Sequence, residues 1–299
     1  MDAKHRFFLA GALALPMLAG CNTDGDDPFN PEDDDGVEPA GGQGELVLEV
    51  TDAPFDHSIV ERAVIRVSDV RILDEREEGE QWVDVYDGEP LTLDLLQLRN
   101  GITQRLLQAR LDAGSYRQMR LVVDAAALEL VNGNVYSTDD GSLKLTSQDT
   151  SGFKVFFDPP VEIVEENVTR FLLDVSLEKT FKPVPASDPL AATRYQLHPV
   201  IRAANLGAGG EIRGFVFRAE DDGSRSPAGG AVVFVLPPGE TDLAAAVAST
   251  ATEADGTFAV LGVDAGSCDV YARAGDVDAR VDAQAIESGA ITVVEVTMR

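Results

Sequence analysis

From Glu45 onward apolar and polar positions alternate with a period of two, which is the pattern of strands that bury one face. Leu46, Leu48 and Val50 share one side of the first such run. In the second, Ile65 and Val67 share a side with Val70 and Ile72 if Ser68-Asp69 forms a bulge. The same alternation predicts strands over 82–86, 116–124, 128–131, 135–137, 143–146, 153–157, 171–177 and 195–203. Asn132-Gly133 and Asp140-Gly141 supply the positive backbone angles that tight hairpins need. One stretch departs from this pattern. Leu95, Leu98, Ile102, Leu106 and Leu107 recur at roughly helical spacing and predict a short helix within 93–111.

A glycine cluster, Leu206-Gly207-Ala208-Gly209-Gly210, interrupts the alternation and reads as a linker over 206–210. Strands resume over 212–217, 231–236, 246–252, 257–261, 268–274 and 292–298, with a hairpin signal at Asp255-Gly256 and an alanine-rich helical turn within 243–248. Short strands separated by turn residues predict an all-β chain of two β-sandwich domains, 45–205 and 211–299.

The N-terminus has a different character. Met1 to Arg6 is basic, Phe7 to Leu18 is apolar but short of the ~20 residues a spanning helix needs, and Ala19-Gly20 are small. Leu18-Ala19-Gly20-Cys21 then has the layout of a bacterial lipobox. That resemblance implies a lipoprotein signal peptide over 1–20, cleavage after Gly20 and acylation of Cys21. Each buried acyl methylene contributes about 0.8 kcal/mol, so several chains on one cysteine hold a domain at a bilayer. By analogy with enterobacterial sorting, Asn22 after the cysteine points to the outer membrane, on its periplasmic or surface face. Residues 21–44 hold eight acidic side chains, no basic ones and little to bury, which predicts a disordered acidic tether.

Charge narrows the function classes. The 52 acidic and 24 basic residues give a net of −28, which disfavours nucleic acid as a partner. The acidity reads as salt adaptation or a solubilising shell, with a calcium-dependent adhesion module as the alternative. The two cysteines, Cys21 and Cys268, allow no internal disulfide if the first is lipidated. Cys268 falls on the inward side of its strand and reads as a small buried hydrophobe rather than a reactive thiol.

Catalytic chemistry has little support. The chain has no His-Glu-x-x-His, Cys-x-x-Cys, Gly-x-Ser-x-Gly or phosphate loop, and no cofactor is implied. Asp52, Asp56 and His57 lie close enough in sequence to converge on a metal, which defines a metal-assisted hydrolase as the enzymatic alternative. The competing explanation is that Asp52 and Pro54 shape a turn. His198, ahead of Pro199, reads as a packed or edge residue. Aromatic residues are 6% of the chain, so a carbohydrate module is not indicated, although Trp82 and Tyr86 fall on one strand face. Trp82 is expected in the core. The expected role is a non-catalytic binding or scaffolding module of the cell envelope, with an envelope protein or glycan as its unidentified partner.

Four segments resemble the DUF4382 family of bacterial lipoprotein ectodomains over about 45–205. They are Leu48-Glu49-Val50-Thr51-Asp52-Ala53-Pro54, Leu93-Asp94-Leu95-Leu96 with Asn100-Gly101, Ala113 to Leu121, and Tyr195 to Arg202. That family has no assigned activity. The region from 211 resembles the carboxypeptidase regulatory-like domain through Ile212-Arg213-Gly214-Phe215-Val216, Ala228 to Val233, Thr252 to Phe258 and Val263 to Ser267. Cys268 stands where tyrosine is usual. The resemblance implies an Ig/transthyretin-like sandwich without the zinc domain that accompanies it in carboxypeptidases. Leu111-Asp112-Ala113-Gly114-Ser115-Tyr116 also echoes Val263-Asp264-Ala265-Gly266-Ser267-Cys268, which suggests one topology in both halves.

If the acidity is a general adaptation, melting temperature should rise smoothly with sodium chloride, because screening relieves self-repulsion. Calcium at matched ionic strength should add little. A calcium site in Asp139-Asp140 or Glu220-Asp221-Asp222 would instead stabilise by about 2.7 kcal/mol at a hundredfold its Kd, and then saturate.

Overall fold

The computed structural model describes residues 42–53, 59–74, 81–86, 88–146 and 152–299. The segment expected to be a signal peptide, Cys21 and most of the expected tether lie outside those residues, as do Asp56 and His57, while Gln43 and Gly44, expected in the tether, already belong to the first strand.

Thirteen strands carry the first half. They begin with β1 (Gln43–Ala53), β2 (Val60–Asp74), β3 (Gln81–Asp84), β4 (Leu91–Asp94) and β5 (Gln104–Asp112). Next come β6 (Gly114–Leu130), β7 (Val135–Ser137), β8 (Leu143–Leu145), β9 (Phe153–Ile163) and β10 (Val168–Ser176). The last three are β11 (Phe181–Val184), β12 (Arg194–Leu197) and β13 (Ile201–Asn205). The second half holds β14 (Gly209–Ala219), β15 (Arg225–Pro227), β16 (Val232–Leu236) and β17 (Ala248–Ala251). It closes with β18 (Thr257–Asp264), β19 (Gly266–Ala274), β20 (Val277–Ile286) and β21 (Ile291–Met298).

Alternation along these strands buries two separate apolar cores. The first is built from residues such as Leu48, Ile72, Leu95, Met119 and Leu173, the second from Ile212, Val233, Val260, Val270 and Val296. Two sheets face each other across each core, with a third small sheet, β11-β12-β8, also packing on the first, and the strands common to the two sandwiches are connected in the same order. In the first, β1 pairs antiparallel with β5 and parallel with β10, while the opposing sheet runs β4, β2, β6, β9. In the second, β14 pairs antiparallel with β18 and parallel with β21, while the opposing sheet runs β17, β16, β19, β20. The echo seen in the sequence is the corner at which each chain leaves one sheet for the other, β5 to β6 and β18 to β19. Gly114 (φ 156°) and Gly266 (φ 142°) open the second strand of each corner in a backbone region costly for other residues. Three residues on, both strands also bulge, at Tyr116/Gln118 and at Cys268/Val270.

Three turns share one sequence. In Asp140-Gly141-Ser142, Asp222-Gly223-Ser224 and Asp255-Gly256-Thr257 the aspartate Oδ1 accepts from both the backbone N–H and the hydroxyl two residues on. Those bonds hold the three carboxyls below their usual pKa range. The clusters considered for calcium thus contribute Asp140 and Asp222 to their own turns, and Glu220 accepts from Ser226.

Several expectations are corrected. The helix within 93–111 is absent. Leu93 lies in β4, Leu95–Gln97 is one 3-10 turn, Asn100 (φ 56°) and Gly101 (φ 79°) reverse the chain, and β5 follows. Two short strands around a turn imitated helical spacing. The predicted strand 195–203 is two strands in different sheets, because Pro199 offers no N–H and β12 ends at Leu197. Asp140-Gly141 and Asp255-Gly256 turn the chain tightly, but their flanking strands pair elsewhere, so neither makes a hairpin. Gly209 and Gly210 belong to β14 rather than to a free linker. Strand β20 escaped notice because its buried side is mostly alanine and valine only half-covered.

The bulged Asp269 is buried and fully used. It accepts from the N–H of Gly239 and Ala283 and pairs with Arg280, which also donates to the Glu240 carbonyl. The backbone bonds, aided by Arg280, hold its carboxyl below the ordinary range. A depressed carboxyl contributes stability that is present above its unfolded pKa and lost as pH falls through the folded one. Asp269→Ala should therefore cost about 3 kcal/mol in urea unfolding at neutral pH, and the gap to wild type should narrow below about pH 4. A gap independent of pH would show that lost packing, not charge, is responsible.

Candidate functional site

Two concave features lie where the two sandwiches meet, and they are built in part by residues from the segments singled out in the sequence. The β4–β5 turn places Asn100 against β18: its Oδ1 accepts from Ala259 N–H at 2.6 Å, and its Nδ2 donates to Glu253 at 3.3 Å. Arg99 reaches the same Glu253 at 3.5 Å. The turn itself is braced from β1, where the Thr51 hydroxyl lies 2.6 Å from the Leu98 carbonyl and 2.9 Å from that of Ile102. A Cβ added at Gly262 would come 2.8 Å from Ala204 Cβ, so the two sandwiches approach as closely as backbone permits there.

Arg202 on β13 is the central clamp. Its Nε and Nη2 donate to Asp174 Oδ2 on β10 at 3.3 and 3.2 Å. Its Nη1 donates to the Gly262 carbonyl at 2.8 Å and its Nη2 to that of Leu261 at 3.1 Å, both on β18 of the second sandwich. Asp174 is buried; desolvation pushes its carboxyl above the ordinary range, against the opposing pull of Arg202. Beside it lies a small cavity with about 10 Å³ for the centre of a water molecule, lined by Thr51, Asn100, Asp174, Thr250 and Ala259. Asp174 Oδ1 and Thr250 Oγ1, both on residues that line this cavity, are buried without a hydrogen-bond partner. A wider groove of about 420 Å³ opens from the same turn across the outer face of β14, β18 and β21, past Arg213, Phe215 and Val293. The arrangement joins two bodies. It holds no nucleophile paired with a base.

Other residues considered for chemistry are dispersed. Among the described residues no group of three or more His, Cys, Asp or Glu side chains could hold a metal ion. The backbone of Asp52 lies near the end of β1, paired with Val175, while its proposed co-ligands Asp56 and His57 lie outside the described residues. His198 is exposed, with its backbone N–H bonded to the Thr180 carbonyl. Cys268 is buried in the second core; burial and neighbouring Asp269 push its thiol up to about 11, so it is inert at neutral pH. Trp82 is not a core residue: it is half-buried on the outer face, with the Arg120 guanidinium 3.8 Å from its ring centroid. Sequence reasoning missed Arg202 and Asp174, because nothing local distinguishes a seam arginine from a surface one.

The fold and seam define a two-sandwich all-β protein. A family model described as "Domain of unknown function (DUF4382)" matches residues 43–199, more than half of the chain, and the chain belongs to that family. No curated protein matches it. Among solved structures it is similar to the minor pilin GBS52 of Streptococcus agalactiae at 12% identity, covering 86% of this chain and 95% of that one, with a TM-score of 0.22. It is also similar to the Bacillus anthracis TIE protein (9% identity, 86% of this chain, 34% of that one, TM-score 0.22). A third likeness is to the shaft pilin SpaA from Lactobacillus rhamnosus GG (10% identity, 85% and 98%, TM-score 0.22). Likenesses this distant carry no argument about function. Among the described residues no helix is long and apolar enough to cross a membrane.

The seam generates a signed pH test. Arg202→Met leaves Asp174 buried without its cation and should cost about 2 kcal/mol or more at neutral pH, allowing for the partial exposure of Arg202. A carboxyl raised by burial lends stability in acid that is lost as pH rises through its folded pKa. The deficit of Arg202→Met in urea midpoint should therefore grow from about pH 4 towards neutrality, and a deficit that stays flat would remove Asp174 as its cause.

Proposed function

We propose that this protein is a lipid-anchored module of the cell envelope that binds or scaffolds other components without catalysing a reaction. The observation that carries this reading is the part-buried polar clamp of Arg202, which fastens two sandwiches with a shared strand connectivity into one body. A rigid body of this kind suits holding surfaces in fixed relation. The lipobox ending at Cys21 supplies the anchor in this reading, the acidic segment behind it supplies reach, and the outer membrane is the proposed location. The resemblance of the second sandwich to the carboxypeptidase regulatory-like domain, an accessory without catalytic residues of its own, supports the same role.

Radiolabelled palmitate fed to cells should enter the wild-type protein and be lost in Cys21→Ala, with the variant released from the membrane fraction. Label that survives the substitution would refute the anchor.

A further inference from the structure

The outer face of the first sandwich sets side chains from four adjacent strands in rows. One row runs Asp84, Arg71, Arg120, Lys154, fixed by the pairs Arg71 with Asp84, Arg71 with Arg120, and Arg120 with Lys154. The neighbouring row holds Trp82 paired with Leu73, and Gln118 paired with Phe156. Like charges directly opposite one another destabilise a sheet, yet three cations stand side by side here in a chain with a net charge of −28. Arg71 is neutralised by Asp69 at 2.7 Å and Asp84 at 2.8 Å. Arg120 is not. Its guanidinium stacks on Trp82, and its buried Nε has no hydrogen-bond partner. Gln118 Nε2, two residues earlier on the same face, is buried and unpartnered as well. Lys154 is exposed and makes no ion pair among the described residues, and Phe156 beside it is 66% exposed.

Two unmet donors, two uncompensated cations and two aromatic rings thus share one flat face. A donor left without an acceptor is costly, so acceptors brought from outside are favoured there more than at an ordinary surface. Gln118 and Arg120 are themselves part-exposed. From Trp82 on β3 to Phe156 on β9 the row spans three strand spacings, about 14 Å. The outer two of these strands, β3 and β9, are sheet edges, but the groups themselves are side chains gathered on one face across all four strands, which suits a ligand lying flat on that face.

We propose that this face binds a carboxylated polysaccharide. Its carboxylates pair with Arg120 and Lys154, its hydroxyls accept from Gln118, and its apolar ring faces lie against Trp82 and Phe156. The proposal rests on the binding role above but not on the anchor. Screening confines the repulsion from the rest of the acidic surface to about 8 Å at physiological ionic strength, so the local cations govern contact.

The test is titration of the purified full chain in detergent, at physiological ionic strength, with a uronic acid oligomer, a neutral glucan and polyglutamate. The uronic acid oligomer should bind, the neutral glucan and polyglutamate at least tenfold more weakly. Lys154→Gln and Arg120→Gln should each weaken uronate binding by about tenfold, a loss of about 1.4 kcal/mol, while Lys154→Arg retains it. Arg213→Gln, in the groove of the second sandwich, should change nothing. Lys154 is exposed, so its variant remains informative even if Arg120→Gln misfolds. No uronate binding, or binding unmoved by Lys154→Gln, overturns the proposal. Equal binding of polyglutamate overturns it in favour of an acidic peptide. Palmitate labelling at Cys21 is indifferent to all these outcomes, so the anchor and the glycan site fail separately.

Discussion

A carboxylate carried into the interior is tolerable only when a cation follows it, and Asp174 on β10 draws Arg202 of β13 to its side. Two strands of the first sandwich are thereby locked together. The remaining guanidinium donors then have to be met, and the nearest acceptors are the Leu261 and Gly262 carbonyls of β18 in the second sandwich. One buried charge thus sets the pairing of β10 with β13 and the docking of the second core on the first. Asn100 adds a second polar contact to the same strand, through the Ala259 N–H. A seam of this kind is directional where an apolar one would slide, because hydrogen bonds hold only at fixed distances and angles.

Within each sandwich the shared connectivity expresses one problem solved twice. Two apolar sheet faces must meet, and the chain must cross between sheets without leaving backbone groups unpaired. Both halves cross at an Asp-Ala-Gly-Ser corner and place a bulge just beyond it. The first sandwich differs by its additional strands. Among these β3 widens the outer face and brings Trp82 over Arg120, so the cationic row belongs to what the first sandwich has and the second lacks.

The acidity of the chain is distributed rather than focused. Aspartates brace three Asp-Gly-Ser/Thr turns, and exposed arginines such as Arg213 and Arg225 pair with Glu211 and Glu295. Exposed pairs of this sort contribute little to stability. Asp174 and Asp269 are buried in bonded networks, as is Glu49 beside Arg170, and the environments of the two aspartates act in opposite directions. Asp269 receives backbone N–H groups that favour its charge. Asp174 keeps one oxygen unmet, so burial dominates.

The sequence by itself determined the all-β class, the strands whose apolar positions alternate, the bulge at Ser68-Asp69, the hairpin at Asn132-Gly133 and the burial of Cys268. Each of these depends on local chemistry: side-chain period, positive backbone angles, or a small apolar residue between strand neighbours. The four family segments were legible too, and three of them contribute to the seam through Thr51, Asn100 and Arg202. What those residues touch was not legible. The partners of Arg202 lie 28 and about 60 positions away in the chain, and no local pattern encodes such a distance. The same holds for the helix that proved to be two strands and a turn, since a short apolar spacing fits either until sheet partners choose. Only the tertiary structure could set Arg120 beside Lys154 and over Trp82, because strand register, which places them, is decided by the burial of the opposite face.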